Sequence, residues 1–256
     1  SIALGADVVV LAAGGGGALY KRTDNPKRIT GDGYRLALDV GCQLSDMEFV
    51  QFYPTGFDIP GGSHWFIDLG ILDIARATAP DGREFLKELF AEKGISSGRE
   101  ANLLLRDMCS VAIAKQNQTG QCLLHTEDVS KDVWLKRFPG IVRMFPASSP
   151  PWSAPVSLGP IQHYFPGGVV IGGEGETEVP GLFACGEVTG GVDGANRVGG
   201  NALTNCVLFG IRSALAASRH AKGEKVDSLK SPDSEPVDHG LVEFPKSRSS
   251  DEWLRS

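Results

Sequence analysis

Clustered glycines are the feature of this chain whose type and spacing best suit it to chemistry. The 256 residues include 33 glycines, many of them in pairs or runs at positions 14–17, 167–168, 172–173, 190–191 and 199–200. Glycine is used where the backbone must approach another group closely or adopt a positive φ angle. Any single pair is typical of a turn, but several in one chain predict backbone that surrounds a large ligand.

Polar groups stand beside two of these clusters. Glu187 follows the strand-like run 181–185 (GLFAC), and open α/β sheets bind ligands where their strands end. A carboxylate there can accept hydrogen bonds from hydroxyl groups. Asn201, Ala202 and Leu203 begin the strongest predicted helix, whose free N–H groups attract anions. A cap or an ordinary helix start would explain either feature without a ligand, and both interpretations stay open here.

The run VVVLAAGGGGAL at 8–19 suggests a dinucleotide-binding motif, but its spacing does not fit one. Such a motif needs G-x-G-x-x-G at the start of a helix. Gly14 and Gly16 match the first two glycines, whereas Leu19 stands where the third is required. Residues 20–28 are polar and contain Asn25 followed by proline, so no helix is predicted to begin there. The pattern disfavours a complete dinucleotide fold beginning at these glycines.

The elements that must position these residues form two α/β segments around an inserted α+β segment. Apolar, β-branched runs predict strands at 6–11, 48–53 with Pro54 ending the strand, 167–171 and 181–185. Amphipathic spacing predicts helices at 32–40, 84–92, 101–116, 134–144 with a break at Pro139, and 201–220. The three prolines of 148–155 predict a stiff linker. The resulting division is 1–57, 58–155 and 156–222, followed by a polar tail at 223–256.

Composition and charge exclude several classes of protein. The formal net charge of −6 gives no support to nucleic-acid binding, which needs a basic face. No apolar run approaches the roughly 18 residues of a membrane span, and the first residues lack the pattern of a signal peptide. The five cysteines are scattered without a C-x-x-C pair, which predicts buried thiols in a reducing, cytoplasmic setting and no metal site.

Several motifs in order resemble the flavoproteins of the fumarate reductase and succinate dehydrogenase family. The first three are AAGG at 12–15, TGDG at 30–33 with Ala37, and EFVQFYPT at 48–55. An R-D pair at Arg106 and Asp107 follows, then HYFPGG at 163–168. The most specific block is the segment 180–203, which matches the family's P-G-L-F-A-x-G-E and G-A-N-R-x-G-G-N pattern almost letter for letter.

The resemblance implies an α/β fold: part of an FAD-binding Rossmann-like domain, interrupted by an α+β capping domain at 58–155. It implies FAD as the cofactor, and Asp32 then contacts FAD, although it could equally be a helix cap. The other residues that the resemblance assigns to FAD are Ala13, Gly14, Gly15, Glu187, Asn201, Ala202 and Leu203. In the family, the first glycine motif would lie upstream of Ser1 and a helical domain would follow the tail. The chain is therefore expected to be a fragment that is inactive alone.

The resemblance also implies a substrate site formed by Arg106, His163, Arg197 and Tyr53. Arginine binds carboxylates in a bidentate manner, and histidine adds a further donor. In the family, the arginine matching Arg106 passes the proton. The alternatives are a surface ion pair for Arg106 and a satisfied core histidine for His163. The cap is expected to bring these residues together by closing, with 148–155 as one hinge.

The implied activity is hydride transfer between FAD and a carbon–carbon bond of a small carboxylate substrate. The alternatives are an amine-type oxidase similar to L-aspartate oxidase, or a catalytically incomplete fragment. The chain departs from the family on the substrate side: Tyr53 and Asp193 replace histidines, and 71–77 lacks the substrate-binding threonine. The identity of the acid therefore stays open. The resemblance also leaves open an electron-transfer partner, and membrane association through such a partner.

Overall fold

The computed structural model describes residues 5–62 and 64–224. Almost all of the predicted tail at 223–256 lies outside the described residues. The strands are β1 Val9–Leu11, β2 Leu44–Ser45, β3 Gln51–Asp58, β4 His64–Phe66, β5 Ala77–Thr78, β6 Cys122–Leu124, β7 Val156–Tyr164, β8 Gly168–Val169 and β9 Leu182–Ala184. The helices are α1 Asp32–Asp39, α2 Phe85–Glu92, α3 Gly98–Leu104, α4 Arg106–Gln116, α5 Lys131–Arg137, α6 Pro139–Val142 and α7 Asn201–Ala221.

The strands form three sheets. β1 pairs in parallel with β9, and β2 pairs antiparallel with β8. The largest sheet is antiparallel with the strand order β4-β3-β7-β6-β5, so it joins both predicted α/β segments to the inserted one. The predicted segment boundaries, between residues 57 and 58 and between residues 155 and 156, fall at the end of β3 and at the start of β7. The domain boundaries themselves stay a prediction.

The parallel pairing of β1 with β9 agrees with the predicted strands, but the predicted burial of β1 does not hold. The side chains of Val9 and Val10 are 53% and 40% exposed. Among the described residues, β1 has one neighbouring strand, which leaves its other edge uncovered. β-branched residues therefore identified the strand correctly but not its surroundings.

β3 continues through Pro54, which was predicted to end it. The strand reaches Asp58, and its pairing with β7 shifts in register between Tyr53 and Gly56. Pro160 of β7 lies opposite this irregularity. Because proline has no N–H to donate to a ladder, both prolines fit at a bulge rather than at regular pairs.

The inserted segment packs around a core that contains Trp134 and Ile113 and also Leu158 of β7. The helix predicted at 101–116 is two helices, α3 and α4, interrupted at Leu105. The helical spacing of Leu104, Met108, Val111 and Ala112 predicted this helix, but Leu104, Met108 and Val111 are exposed by 66%, 41% and 53%. The buried positions are Ala101, Leu105, Cys109 and Ile113 with Arg106 beside them, a spacing of four residues that places them on one face.

α7 packs on β1, β9 and the turn Gly186–Val188 through an unexpectedly small and polar face. Its buried residues are Asn205, Ser213, Ala216 and Ala217. The helix was predicted from Leu203, Val207, Ile211, Leu215 and Ala216 on one side; the first four are 58% to 76% exposed, whereas Ala216 is buried. The position of the helix in the chain is correctly predicted. Its small buried residues allow it to approach the strands closely.

The remaining predictions concern thiols and membranes. Cys42, Cys109, Cys122 and Cys185 are buried, whereas Cys206 is exposed. Across 5–62 and 64–224, no helix combines the length and the apolar character that crossing a membrane would require.

Candidate active site

The ends of the parallel strands bring the predicted cofactor residues together. Gly14 and Gly15 follow β1, Glu187 follows β9, and the two strands run in the same direction. Gly15 lies directly against Glu187: a Cβ atom at position 15 would come within 2.6 Å of Glu187 Cδ. Gly14 has a φ of 75°, a backbone conformation that favours glycine. The positive φ of Gly14 and the contact of Gly15 with Glu187 explain why glycine stands at these two positions.

A hydrogen bond from the backbone fixes the position of the Glu187 side chain. Its Oε1 accepts a hydrogen bond from the backbone N–H of Phe165 at 3.0 Å. Burial raises the pKa of this carboxyl, while the Phe165 hydrogen bond and the positive charges of His163 and Arg197 act in the opposite direction. A fixed, half-buried carboxylate at the end of a strand can still accept hydrogen bonds from a hydroxyl-bearing ligand.

Asp32 and Ala13 lie on either side of a tight contact between α1 and the strand ends. Gly31 caps α1 with a φ of 79°, and Asp32 is the first helical residue, receiving a hydrogen bond from Thr30 at 2.9 Å. A Cβ on Gly33 would come within 2.9 Å of the Ala13 Cβ. Asp32 is exposed and Ala13 is exposed, so both remain accessible to a ligand at this edge.

The start of α7 is tied to β7 through Asp193. Asn201 Nδ2 donates to Asp193 Oδ1 at 2.5 Å, and the Tyr164 hydroxyl donates to Asp193 Oδ2 at 2.9 Å. Leu203 N–H donates to the carbonyl of Gly200 at 3.2 Å, so it is already engaged. Of the two predicted anion-binding amides, Ala202 N–H is therefore the better candidate.

Arg106 and Arg197 are buried guanidinium groups, with residue exposures of 8% and 5%. Neither takes part in an ion pair among the described residues, and the Nε atom of each is buried without a hydrogen-bond partner. Arg197 lies over the ring of Tyr164 at 4.4 Å, and burial, with Arg106 adding repulsion, lowers its pKa. Because Arg106 is buried and unpaired among the described residues, the surface ion pair considered for it is not what the structure has.

Tyr53 joins this cluster through its ring and not through its hydroxyl. The ring lies 5.9 Å from Arg106 Cζ and 5.6 Å from the His163 ring. Its hydroxyl donates to Asn102 Oδ1 at 2.6 Å and also approaches Asp68 Oδ2 at 3.2 Å. Burial raises the pKa of Tyr53 well above its usual value. The hydroxyl predicted to face a carboxylate is thus already used within the protein.

His163 is clamped on three sides. Its Nδ1 lies 2.7 Å from Asp24 Oδ2, and its ring packs edge-on against Tyr53 and Phe66. Asp24 comes from the polar segment 20–28, which contains no motif that would single it out. The pairing joins residues 139 positions apart. Only the tertiary structure reveals it.

The inserted segment already touches the loop that carries Arg197. Asn196 Nδ2 donates to Asp107 Oδ2 at 2.8 Å, next to Arg106. Gln51 Nε2 donates to Asn196 Oδ1 at 2.7 Å and to the carbonyl of Arg197 at 2.9 Å. Arg106, Tyr53, His163 and Arg197 therefore lie near one another in the described conformation, and the closing motion of the cap stays a prediction. Sequence reasoning missed the polar residues that hold this cluster: Gln51, Asp68, Asn102 and Asn196.

Comparison with known families gives one match that covers most of the chain. The family model described as FAD binding domain matches residues 2–203. Among curated proteins, an uncharacterized FAD-dependent oxidoreductase of Methanocaldococcus jannaschii is 34% identical, over 88% of this chain and 41% of that protein. The L-aspartate oxidase of Streptomyces coelicolor is 36% identical, over 86% and 38%. One fumarate reductase (CoM/CoB) subunit from Methanothermobacter marburgensis is 34% identical, over 86% and 40%.

Solved structures agree with this match. A quinol-fumarate reductase superposes with a TM-score of 0.72 at 29% identity, covering 86% of this chain and 41% of that one. The Sdh1 protein of Mycobacterium smegmatis superposes with a TM-score of 0.70 at 31% identity, covering 86% and 37%. The chain spans about two fifths of the length of the curated relatives it matches.

Proposed function

Since the chain belongs to the FAD-binding domain family whose model matches residues 2–203, we propose that it forms part of an FAD-dependent oxidoreductase acting on a small carboxylate substrate. The proposed reaction moves hydride between the flavin and a carbon–carbon bond of that substrate. When it is bound, FAD supplies the group that accepts or gives the hydride. The residues of this chain bind the cofactor, orient the acid and exclude water.

The observation that carries the proposal is the pair of neighbouring buried arginines. A buried charge is costly unless it is paired, and Arg106 and Arg197 have no carboxylate partner among the described residues. Two guanidinium groups with unpartnered Nε atoms suit an anionic ligand, because each can bind a carboxylate through two parallel hydrogen bonds. His163 beside them supplies a further nitrogen.

The residues at the strand ends fit a flavin dinucleotide. The close contact of Gly15 with Glu187 leaves bare backbone at the edge of the sheet, and Ala13, Gly14 and Asp32 extend that edge. Glu187 would accept hydrogen bonds from cofactor hydroxyls. Ala202 at the start of α7, with Asn201 and Leu203 around it, would stabilise negative charge on the cofactor by preorganised dipoles.

The proposed roles of the substrate-site residues rest partly on the structure and partly on the family resemblance. Arg197 would hold a carboxylate, with its guanidinium backed by the ring of Tyr164. Arg106 would bind the same acid and, by resemblance to the family, pass the proton to it. A guanidinium gives up a proton with difficulty, so the proton role rests on the resemblance, whereas the binding role rests on burial. The ring of Tyr53 would line the substrate site beside Arg106 and His163.

An amine-type oxidase is the second candidate, and Asp68 favours it. Asp68 is an exposed carboxylate whose Oδ2 accepts a hydrogen bond from Asn102 Nδ2 at 2.9 Å and lies 3.2 Å from the Tyr53 hydroxyl. A substrate with an ammonium group and a carboxylate could place one at Asp68 and the other at Arg197. Relatives named L-aspartate oxidase are similar to this chain to the same degree as the fumarate reductase relative.

The experiment uses the complete protein purified with FAD. Anaerobic flavin absorbance is followed on addition of succinate or L-aspartate, and on addition of fumarate to the reduced protein. Arg106→Lys keeps the charge but loses the planar fork, so turnover should fall at least about 100-fold while the flavin spectrum is unchanged. Arg137→Lys, an exposed change on α5, is the matched control. A folded protein without flavin absorbance, or full turnover in Arg106→Lys, would overturn the proposal.

The electrons would be exchanged with a partner protein. The solved relatives include a quinol-fumarate reductase studied with menaquinol molecules and a Sdh1 complex with UQ1. By analogy, the complete protein would work in the cytoplasm, and any membrane association would depend on a partner protein.

A further inference from the structure

Asp24 stands out as a buried carboxylate that neither the motifs nor the proposed reaction uses. Its side chain is 8% exposed, and its Oδ2 lies 2.7 Å from Nδ1 of His163. The described ion pairs of Asp24 are confined to this histidine, while its Oδ1 accepts a hydrogen bond from Asn25 Nδ2 at 3.1 Å. A carboxylate this deeply buried needs a positive or donating partner.

The segment around Asp24 is fastened to β7 like an extra strand. Gln162 N–H donates to the carbonyl of Arg22 at 2.9 Å, and Thr23 Oγ1 donates to Gln162 Oε1 at 2.9 Å. Asn25 Nδ2 also donates to the carbonyl of His163 at 3.1 Å. These bonds fix Asp24 on both sides, so the position of its carboxylate relative to His163 is set by the fold.

The His163 ring is equally constrained. Its centroid lies 5.6 Å from that of Tyr53 and 4.8 Å from that of Phe66, both in edge-to-face contact. With Nδ1 facing Asp24, Nε2 is the ring nitrogen left for a ligand. A carboxylate only accepts hydrogen bonds, so Nδ1 must carry the proton of the bond to Asp24, and a substrate carboxylate at Nε2 would require a proton there as well.

We propose that Asp24 is a positioning residue that keeps a proton on Nδ1 of His163 and thereby leaves Nε2 to donate to a carboxylate of the substrate. The inference rests on the proposed carboxylate site and deepens it. Arg197 and His163 would bind the acid together, and Asp24 would act only through the histidine. Glu187 also places negative charge near His163. Asp24 differs from it because its carboxylate lies at hydrogen-bond distance from Nδ1 and so fixes the orientation of the ring.

The chain contains a second aspartate–histidine pair that serves as the control. His64 Nδ1 lies 2.7 Å from Asp58 Oδ1, the same separation, but Asp58 also pairs with Arg22. Asp58→Asn removes a carboxylate from an equivalent pair outside the arginine cluster. Asp24→Asn removes one inside it and keeps the side-chain shape.

The first measurement is the protonation of the ring nitrogens. Long-range ¹H–¹⁵N spectra of the FAD-loaded protein are recorded, and His163 is identified by the loss of its signals in His163→Gln. We expect the wild-type ring to carry a proton on Nδ1, and Asp24→Asn to reduce the proton occupancy of that nitrogen. Asp58→Asn should leave them unchanged. A wild-type His163 protonated at Nε2 alone would overturn the inference, whether or not the variant folds.

The second measurement is binding of malonate as a simple dicarboxylate probe, followed by flavin absorbance. Loss of one charged hydrogen bond should weaken malonate binding about 10-fold to 100-fold in Asp24→Asn, and little in Asp58→Asn. With substrate, KM should rise more than kcat falls. Equal binding by wild type and Asp24→Asn would refute the role of Asp24. Failure of the wild type to bind malonate would instead count against the carboxylate site, while the ring protonation would still decide on Asp24.

Discussion

Replacing Gly15 by alanine tests whether the contact between the strand ends is built for the cofactor edge. The φ of Gly15 is not in the left-handed region, so alanine is allowed by the backbone and the effect is steric. The new Cβ would lie 2.6 Å from Glu187 Cδ, about 1 Å inside the ordinary separation of carbon atoms. Glu187 must therefore move, and it is held by Phe165 N–H at 3.0 Å.

The size of the effect follows from those two contacts. Overpacking a closed contact costs about 1–3 kcal/mol, and losing the hydrogen bond to a charged carboxylate costs about 1.5–3 kcal/mol. Because Glu187 can give way at the expense of one or the other, we expect Gly15→Ala to lower the free energy of unfolding by about 2 kcal/mol. FAD binding should weaken as well, since the displaced carboxylate lies at the proposed cofactor edge.

A double-mutant cycle measured by urea unfolding separates this cause from others. In a Glu187→Ala background the obstruction is gone, so Gly15→Ala should cost less than about 0.5 kcal/mol, and the two changes should couple strongly. Gly140→Ala in α6 is the control, because a Cβ there would meet nothing within 4 Å. If Gly15→Ala costs the same with and without Glu187, the reasoning is refuted.

Two further predictions concern single groups of the site. Because burial raises the native pKa of Glu187, its contribution to stability is fully present below the unfolded value of about 4.3 and is lost as pH rises through the raised pKa. Wild type should therefore lose stability relative to Glu187→Gln as the pH rises above about 4.3, and a stability difference that does not change with pH would contradict this. Tyr53→Phe removes a hydroxyl that bonds to Asn102, so it should lower stability by about 1 kcal/mol but change substrate KM less than about threefold; a large rise in KM would show that the hydroxyl faces the substrate.

The cofactor edge is the part of the site that sequence could predict. The runs before Gly14 and before Glu187 indicated two parallel strands, and the carboxyl ends of such strands meet at one edge. The structure pairs these strands in parallel and brings Gly15, after the first, into contact with Glu187, after the second. Local signals sufficed because each strand and its turn are close together in the chain.

Other features depend on tertiary packing and left no local signal. The helix at 201–220 was predicted from an apolar stripe, yet the only residue of that stripe that is buried is Ala216. Leu105 interrupts a helix whose periodicity was continuous in the sequence. Asp24, in an irregular segment, contacts His163, which lies 139 residues further along the chain. The Tyr53 hydroxyl donates a hydrogen bond to Asn102. Hydrophobic periodicity identifies an element but not its partner, and hydrogen bonds between distant loops have no period.

The carboxyl end of β7 has a consequence for how the gene can vary in length. Three consecutive residues there serve three neighbours: His163 meets Asp24, Tyr164 supports Asp193, and the Phe165 amide holds Glu187. A single codon inserted or deleted within the strand would turn every following side chain to the opposite face and disconnect both halves of the site at once. Substitutions there can be compensated one at a time, but insertions and deletions cannot, so length changes among homologues should fall in the connecting segment 148–155.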